Sequence, residues 1–284
     1  MLDWFAGKEL AYPWRRSASD PYRVLVSEVM LQQTQAVRVA NVFERFFERF
    51  PDVASLGAAT PGEVVRAWSG LGYNRRALAL WRCARRILVE HGGAVPDDPE
   101  GLMGLPGIGP YTAAAVASIA YGQPVPTVDT NVRRVVARAV LGAEPREVAP
   151  RVLLGAARAW MPLRQPGTWN QALMDLGREV CRPVPRCPSC PLAGRCAFRR
   201  SGRAPAPPRA SQGRYEGSFR KLRGTVVEVL RAGRPVTIGR LCRATGESPD
   251  RVAAAVRALA ADGLVRAGRA ALAGRPKGQA RLAD

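Results

Sequence analysis

An all-helical protein is predicted, a larger domain followed by a small helical tail, and three observations predict it. Residues 21 to 200 carry successive helical apolar patterns, at 21–49, 62–69, 75–91, 111–121, 130–141, 147–160 and 168–180. Gly or Pro punctuates most of the joints between them. Period-two alternation, the mark of half-buried strands, is scarce. The chain has 284 residues, enough for two modest cores at about 150 residues per domain.

The first pattern contains VLVSEVMLQQT, Val24 to Thr34, in which Glu28 stands among Val24, Leu25, Val26, Val29, Met30 and Leu31. A helix through this run is apolar on most sides, so it is predicted to be buried, and a carboxylate there needs a reason. The turn GLGYNRRA opens the pattern at 75–91. Next comes LPGIGPYTAAAV, Leu105 to Val116, where Gly107 and Gly109 bracket Ile108. Two glycines let the backbone turn tightly between short helices and leave the amides of the second helix facing outward, where they can grip a phosphate. A plain helix-helix turn is the simpler alternative. Twenty residues after Gly109 stands Asp129, in TVDTNVRRVVARAV, an N-cap position whose side chain can serve the helix that follows.

Residues 197 to 217 are rich in Pro, Ala, Arg, Gly and Ser with few large apolar groups, a composition predicting a flexible basic linker over 201–217. Beyond it, LRGTVVEVLRAG, VTIGRLCRATG and SPDRVAAAVRALAADGLVRAG give three amphipathic helices and a short hairpin, with Ser248 as an N-cap. That order predicts a winged-helix-like unit over 218–284. The domain reading is therefore 1–200, linker, 218–284.

Charge narrows the partner. Lys and Arg number 43 against 23 Asp and Glu, a formal net charge of +20, and such an excess predicts a polyanion. Only Lys8, Lys221 and Lys277 are lysines; a genomic bias explains the choice of Arg over Lys but not the excess. No apolar run reaches the roughly 18 residues of a membrane span, and MLDWFAGKEL lacks a signal-peptide core. The expectation is a DNA-bound, cytoplasmic, nucleoid-associated monomer without a membrane partner.

Four of the six cysteines fall in CRPVPRCPSCPLAGRC: Cys181, Cys187, Cys190 and Cys196, with five, two and five residues between them. Such clustering without a secretory signal favours a metal or iron-sulfur cluster over disulfides. Zinc suits four thiolates equally well. Cys83 and Cys242 are isolated and read as small hydrophobes.

Taken together, SEVMLQQT, GLGYNRRA, LPGIGPYTAAAV, VDTNVRRV and the four-cysteine loop stand in the order found in helix-hairpin-helix DNA glycosylases. From Tyr12 to Arg199 the chain resembles the MutY-type adenine DNA glycosylases. The resemblance implies a two-lobed helical domain that binds double-stranded DNA holding adenine mispairs, and a 4Fe-4S cluster on the cysteine loop, which decides for iron-sulfur over zinc. One departure is the first cysteine interval, usually six residues in the family and five here.

The resemblance also implies roles. Glu28 matches the glutamate that protonates the extruded adenine, and Asp129 the aspartate beside the sugar. Bond cleavage puts positive charge on the sugar and electron density on the base, so a proton donor and an anion both lower the barrier. Burial among apolar groups keeps a Glu protonated, and a helix N-terminus favours the Asp anion. Tyr111 and Asn131 match catalytic supports. Gln33 and Tyr73 match residues wedged around the base opposite the adenine; Leu31 and Gln32 join them as DNA-contact candidates, as do Leu105, Gly107 and Gly109 of the hairpin. Trp14 and Arg15 match a segment beside the base pocket, with ordinary packing as the alternative.

In related endonuclease III enzymes a strand-cutting lysine occupies the position of Tyr111, and no lysine occurs here between Lys8 and Lys221. The expectation is a monofunctional glycosylase that leaves an abasic site. Many family members carry a Nudix-like domain that reads 8-oxoguanine; the tail here is too short and too helical for one, His91 is the only histidine, and Ser218-Phe219 is followed by Arg220. Preference for 8-oxoguanine is therefore expected to relax toward guanine. Two rival readings are a thymine or uracil mismatch glycosylase, which would have no N7 for Glu28 to protonate, and a non-enzymatic iron-sulfur regulator, which would not need both carboxylates.

Overall fold

In the computed structural model, residues 1–6, 8, 12–207 and 215–284 are described; the middle of the expected linker, 208–214, lies outside them. Helix α1 (Leu2–Ala6) precedes a 3-10 turn at Pro13–Ser17. The pattern read over 21–49 is two helices, α2 (Pro21–Leu31) and α3 (Ala36–Arg49). They part where Gln33 takes φ 54°, a left-handed conformation no helix continues through. Helices α4 (Val53–Ala58), α5 (Pro61–Ala67) and α6 (Arg75–Glu90) follow. Capping boxes start α4 (Asp52 with Ser55) and α5 (Thr60 with Glu63), and α4 has too few turns to display a period.

Next are α7 (Pro99–Met103), α8 (Pro110–Tyr121), α9 (Thr130–Ala139), a 3-10 turn at Pro145–Glu147, α10 (Pro150–Trp160) and α11 (Pro166–Glu179). A 3-10 turn at Cys187–Ser189 and α12 (Ala197–Arg200) complete this part. The C-terminal segment runs α13 (Phe219–Leu230), β1 (Val236–Thr237), α14 (Ile238–Thr245), α15 (Pro249–Ala261), β2 (Val265–Ala267), α16 (Arg269–Leu272) and β3 (Gln279–Leu282). Its antiparallel sheet has the order β1-β3-β2, with Val265 opposite Leu282. Three helices followed by a β2-β3 hairpin is the winged-helix order expected, and Ser248 caps α15 through the Arg251 amide.

The described chain packs as two compact units: Met1–Glu28 with Val95–Ser211, and Val29–Ala94 with Gln212–Asp284. In the first unit α11 is the hub, packing on α8 and α9 and touching α1. Two glycines permit it. A Cβ on Gly167 would lie 2.8 Å from the Ile119 Cα, and one on Gly177 2.7 Å from the Asn131 Cβ, so no larger residue fits at either crossing without moving backbone. Val132, Val135, Val136, Leu153, Trp169, Leu173 and Leu176 fill the core between them.

In the second unit Phe43, Phe46, Phe50 and Trp68 are buried together, Phe46 and Trp68 edge to face at 5.8 Å. Sequence reading set 218–284 apart as a small module; in the structure it packs with 29–94. Helix α5 packs on β3, the Arg231 guanidinium donates to the Val65 carbonyl (3.2 Å) and to Asn74 Oδ1 (3.0 Å), and Asp262 pairs with Arg75 and Arg223. Val226, Val227 and Leu230 of α13 are buried, each stabilising by about 1.5–3 kcal/mol.

Candidate active site

Within the first unit, α2, α8 and α9 bring three of the predicted residues together. Glu28 is 6 % exposed. Burial pushes its carboxyl up to about 7; a hydrogen bond from Tyr111 opposes the shift, the charge of Asp129 adds to it, and Arg15 opposes it. Burial and the two neighbouring carboxyls hold the Tyr111 phenol well above its ordinary value, so it remains a donor. Met174 Sδ lies 3.6 Å from the phenol oxygen.

Asp129 caps α9: Oδ1 accepts from the Val132 amide at 2.6 Å and Oδ2 from Asn131 Nδ2 at 2.9 Å. Both oxygens are thereby aimed. Asn131 in turn accepts from Arg134 Nη2 at 2.9 Å, and Arg134 donates to the carbonyls of Gly177 (2.6 Å) and Cys181 (2.5 Å). The segment leading to Asp129 has no regular structure of its own. Asn170, fully buried on α11, pins it by accepting from the Thr127 amide (2.9 Å) and donating to the Val125 carbonyl (2.9 Å) and Ser118 Oγ (2.7 Å). Asn170 escaped sequence reading, because a single amide in a helical pattern carries no local signal.

Trp14 and Arg15 lie buried in the 3-10 turn. Trp14 stacks on Tyr12 at 4.7 Å, and Arg15 pairs with Asp175 at 2.6 Å, both side chains nearly fully buried. Asp175 also went unread, although it shows the pattern that flagged Glu28: a carboxylate inside an apolar run, QALMDLGREV. Asp175 also pairs with Arg178 at 2.9 Å, so the carboxylate keeps a cation on each oxygen.

The hairpin joins α7 to α8. Leu105 and Ile108 anchor it in the core. Gly107 takes φ 81°, which only Gly adopts without strain. Gly109 is the N-cap of α8, and a side chain there would meet nothing within 4 Å, so the start of α8 faces open space.

Leu31, Gln32, Gln33 and Tyr73 fall in the second unit. Gln33 and Tyr73 both have left-handed φ, 54° and 46°, strain of order 1–3 kcal/mol each. Arg76 holds both turns: it donates to the carbonyls of Val29 and Met30 at 2.9 Å and of Gln32, and to Thr34 Oγ1 (2.8 Å), Leu71 and Gly72 (3.3 Å each). Burial lowers its guanidinium to about 10. The arginine was visible inside GLGYNRRA, but its acceptors on Val29, Met30, Gln32 and Thr34 lie more than forty residues upstream, beyond any local pattern.

The cysteine loop leaves α11 at Cys181 and re-enters helix at Cys196, the N-cap of α12. None of its thiols is in a disulfide. Cys190 lies within electrostatic range of the other three, and burial pushes the Cys181 and Cys190 thiols up, so forming their thiolates there requires a cation to offset the buried charge. Arg138, paired with Glu144 at 2.8 Å, fixes the loop through the carbonyls of Arg182 (2.7 Å) and Pro183 (3.0 Å). Among the described residues no three Cys, His, Asp or Glu side chains converge tightly on a single ion. Four free thiols on an arginine-anchored loop suit a cluster held at four points.

Comparison with known proteins agrees with this geometry. Residues 26–151 match the HhH-GPD superfamily base excision DNA repair protein description. The chain is 43% identical over 279 residues to the adenine DNA glycosylase of Mycolicibacterium smegmatis, covering 96% of this chain and 95% of that protein. It is 41% identical over 210 residues to the human adenine DNA glycosylase, covering 70% and 38%. Among solved structures it is similar to a thermostable thymine-DNA glycosylase (TM-score 0.65, 28% identity, 70% of this chain and 93% of that one). A trapped endonuclease III-DNA covalent intermediate in an estranged-adenine complex matches at TM-score 0.56 and 27% identity, over 64% and 85% of the two chains.

Proposed function

We infer, from a chain that belongs to the adenine DNA glycosylases of the HhH-GPD base excision repair superfamily, how its own residues carry out the family's reaction. The protein is a DNA glycosylase acting on adenine, and it binds DNA. No helix of the described residues is long and apolar enough to cross a membrane.

The substrate is adenine paired with 8-oxoguanine or guanine in duplex DNA. Glu28 protonates the extruded base at N7, which turns the adenine into a good leaving group. Asp129, an anion at the start of α9, offsets the charge that develops at C1′ or captures the sugar covalently. Glu28, now ionised, takes a proton from the attacking water. Tyr111 and Asn131 aim the two carboxylates. The observation that carries this reading is Glu28 itself, a carboxyl lifted to about 7 with Tyr111 and Asp129 as its neighbours. A thymine or uracil glycosylase would have no use for such an acid at a pyrimidine without N7.

Single-turnover cleavage of labelled duplexes holding 8-oxoguanine:A, G:A, G:T and G:U pairs tests the reading. Breaks at adenine that appear only after alkali are expected; breaks at T or U would overturn it. The reaction is monofunctional: Tyr111 offers no amine, and Lys8 is engaged by Glu179 at 2.5 Å. Borohydride should trap essentially no covalent adduct.

Cys181, Cys187, Cys190 and Cys196 hold a 4Fe-4S cluster, which crosslinks the loop through four thiolates. The purified protein is expected to carry about four irons per chain with matching acid-labile sulfide and to absorb near 400 nm. Stoichiometric zinc without sulfide would instead favour the tetrahedral alternative.

A further inference from the structure

Residues 218–284 carry 14 Lys and Arg against five Asp and Glu. Glu228, Glu247, Asp262 and Asp284 pair with Arg231, Arg251, Arg223 and Arg281, and Asp250 stands in the first turn of α15, where a helix N-terminus favours it. Every carboxylate of the segment is therefore engaged. Four of the remaining cations lie together. Arg240 and Arg243, exposed on α14, are three residues apart and share a face. Arg275 and Lys277, also exposed, stand on the turn between α16 and β3.

Two backbone hydrogen bonds seat that turn on the start of α14: the Ile238 amide donates to the Gly278 carbonyl at 2.9 Å, and the Gly239 amide to that of Pro276 at 3.0 Å. The Gly278 amide closes the turn on the Arg275 carbonyl at 2.9 Å. A Cβ on Gly278 would collide with the Ala271 backbone, so the turn is built around a glycine. On the α14 side, a Cβ on Gly239 would lie 3.4 Å from the Pro276 carbonyl oxygen and 3.9 Å from Arg243 Nη1. The Arg243 guanidinium thus sits beside the turn that presents Arg275 and Lys277. Arg240, Arg243, Arg275 and Lys277 have no carboxylate partner among the described residues.

Helices α14 and α15 follow the helix-turn-helix order, in which the second helix ordinarily reads bases in the major groove. Here α15 is unsuited to that task. Asp250 at its start repels phosphate, and both its arginines are occupied, Arg251 with Glu247 at 3.2 Å and Arg257 with the Leu272 carbonyl at 2.5 Å. The free charge lies instead on α14 and the turn seated against it. Cations without base-reading partners suit a backbone rather than a sequence.

We propose that Arg240, Arg243, Arg275 and Lys277 form an auxiliary surface that holds the phosphate backbone of duplex DNA without regard to sequence. It retains the protein on undamaged duplex between lesions, a task for charge rather than for shape. None of the four residues belongs to the catalytic carboxylates, the hairpin or the Gln33 and Tyr73 turns. The proposal does not depend on which base is excised.

The test uses the full-length protein and two undamaged duplexes of unrelated sequence, with affinity measured between about 50 and 200 mM salt. Each phosphate neutralised contributes about 0.9 to the slope of log affinity against log salt. Replacing all four cations together (Arg240→Gln, Arg243→Gln, Arg275→Gln and Lys277→Gln) should shrink that slope by about 3 to 4 on both duplexes. Arg275→Gln with Lys277→Gln alone should shrink it by about half as much, and serves if the fourfold variant does not fold. Arg251→Gln with Arg257→Gln, on α15, removes two cations that are already engaged and should leave the slope unchanged. An unchanged slope in the first two variants would overturn the proposal, as would a loss confined to one sequence. An equal loss per charge in the α15 variant would overturn it too, because net charge rather than this surface would then be at work.

Discussion

Glu28→Gln is expected to abolish adenine excision while leaving duplex binding within a fewfold of wild type. The substitution keeps shape and hydrogen-bonding capacity but removes both the acid and the later base, and loss of general acid-base catalysis costs about 10²–10⁴-fold for each role. Single-turnover rates opposite guanine, set beside a gel-shift titration, check it; retention of wild-type excision would refute the assignment of Glu28. The wild-type rate should also fall as pH rises through about 7, where burial has placed the Glu28 carboxyl, because the acid form is consumed there. Stability carries the same signature. The folded carboxyl sits near 7 and the ordinary value is 4.5, so the folded state binds more protons in between. Stability from this group is present below about 4.5 and is lost as pH rises to about 7, by roughly 3 kcal/mol at 1.36 kcal/mol per unit. Glu28→Gln should therefore raise the melting temperature at pH 8 and change it little at pH 4.5.

Asp129 gives the second large effect, and two substitutions separate its two jobs. Asn is as good an N-cap as Asp, whereas Ala loses about 1 kcal/mol. On the proposed mechanism Asp129→Asn loses the carboxylate assigned to the sugar and should slow excision about 10²–10³-fold, the scale of a lost electrostatic contact to a transition state. Its Oδ1 can still accept from Val132, but an amide NH2 would then face Asn131 Nδ2, donor against donor. The melting temperature should fall by only about 2–4 °C. Asp129→Ala should show a similar rate and a larger thermal loss. If Asp129→Asn kept the wild-type rate, Asp129 would be a cap and nothing more.

Much of this was legible in the linear chain, for an identifiable reason. Glu28 announced itself because a carboxylate within one apolar turn is costly, a local fact. The four cysteines, the bracketing glycines 107 and 109 and the N-cap at Asp129 are likewise properties of short consecutive runs, the longest being the sixteen residues from Cys181 to Cys196. So were the helical class and the order of the tail, three helices and then a hairpin, since period and capping are set by neighbours in sequence. The helical pattern read over 21–49 does not show its interruption at Gln33, because the break depends on a left-handed residue, which glutamine does not advertise.

What the sequence by itself determined, then, is the inventory: which chemistry is carried, on which helices, bounded by which caps. What only the tertiary structure decided is adjacency. Arg76 reaches the Met30 carbonyl across more than forty residues, Asn170 holds a segment forty-odd residues away, and Arg220 meets Tyr73 across 147. Such contacts arise where packed helices meet, as at the Gly177 crossing beside Asn131, and close packing between distant segments leaves no period in the chain for a sequence to display.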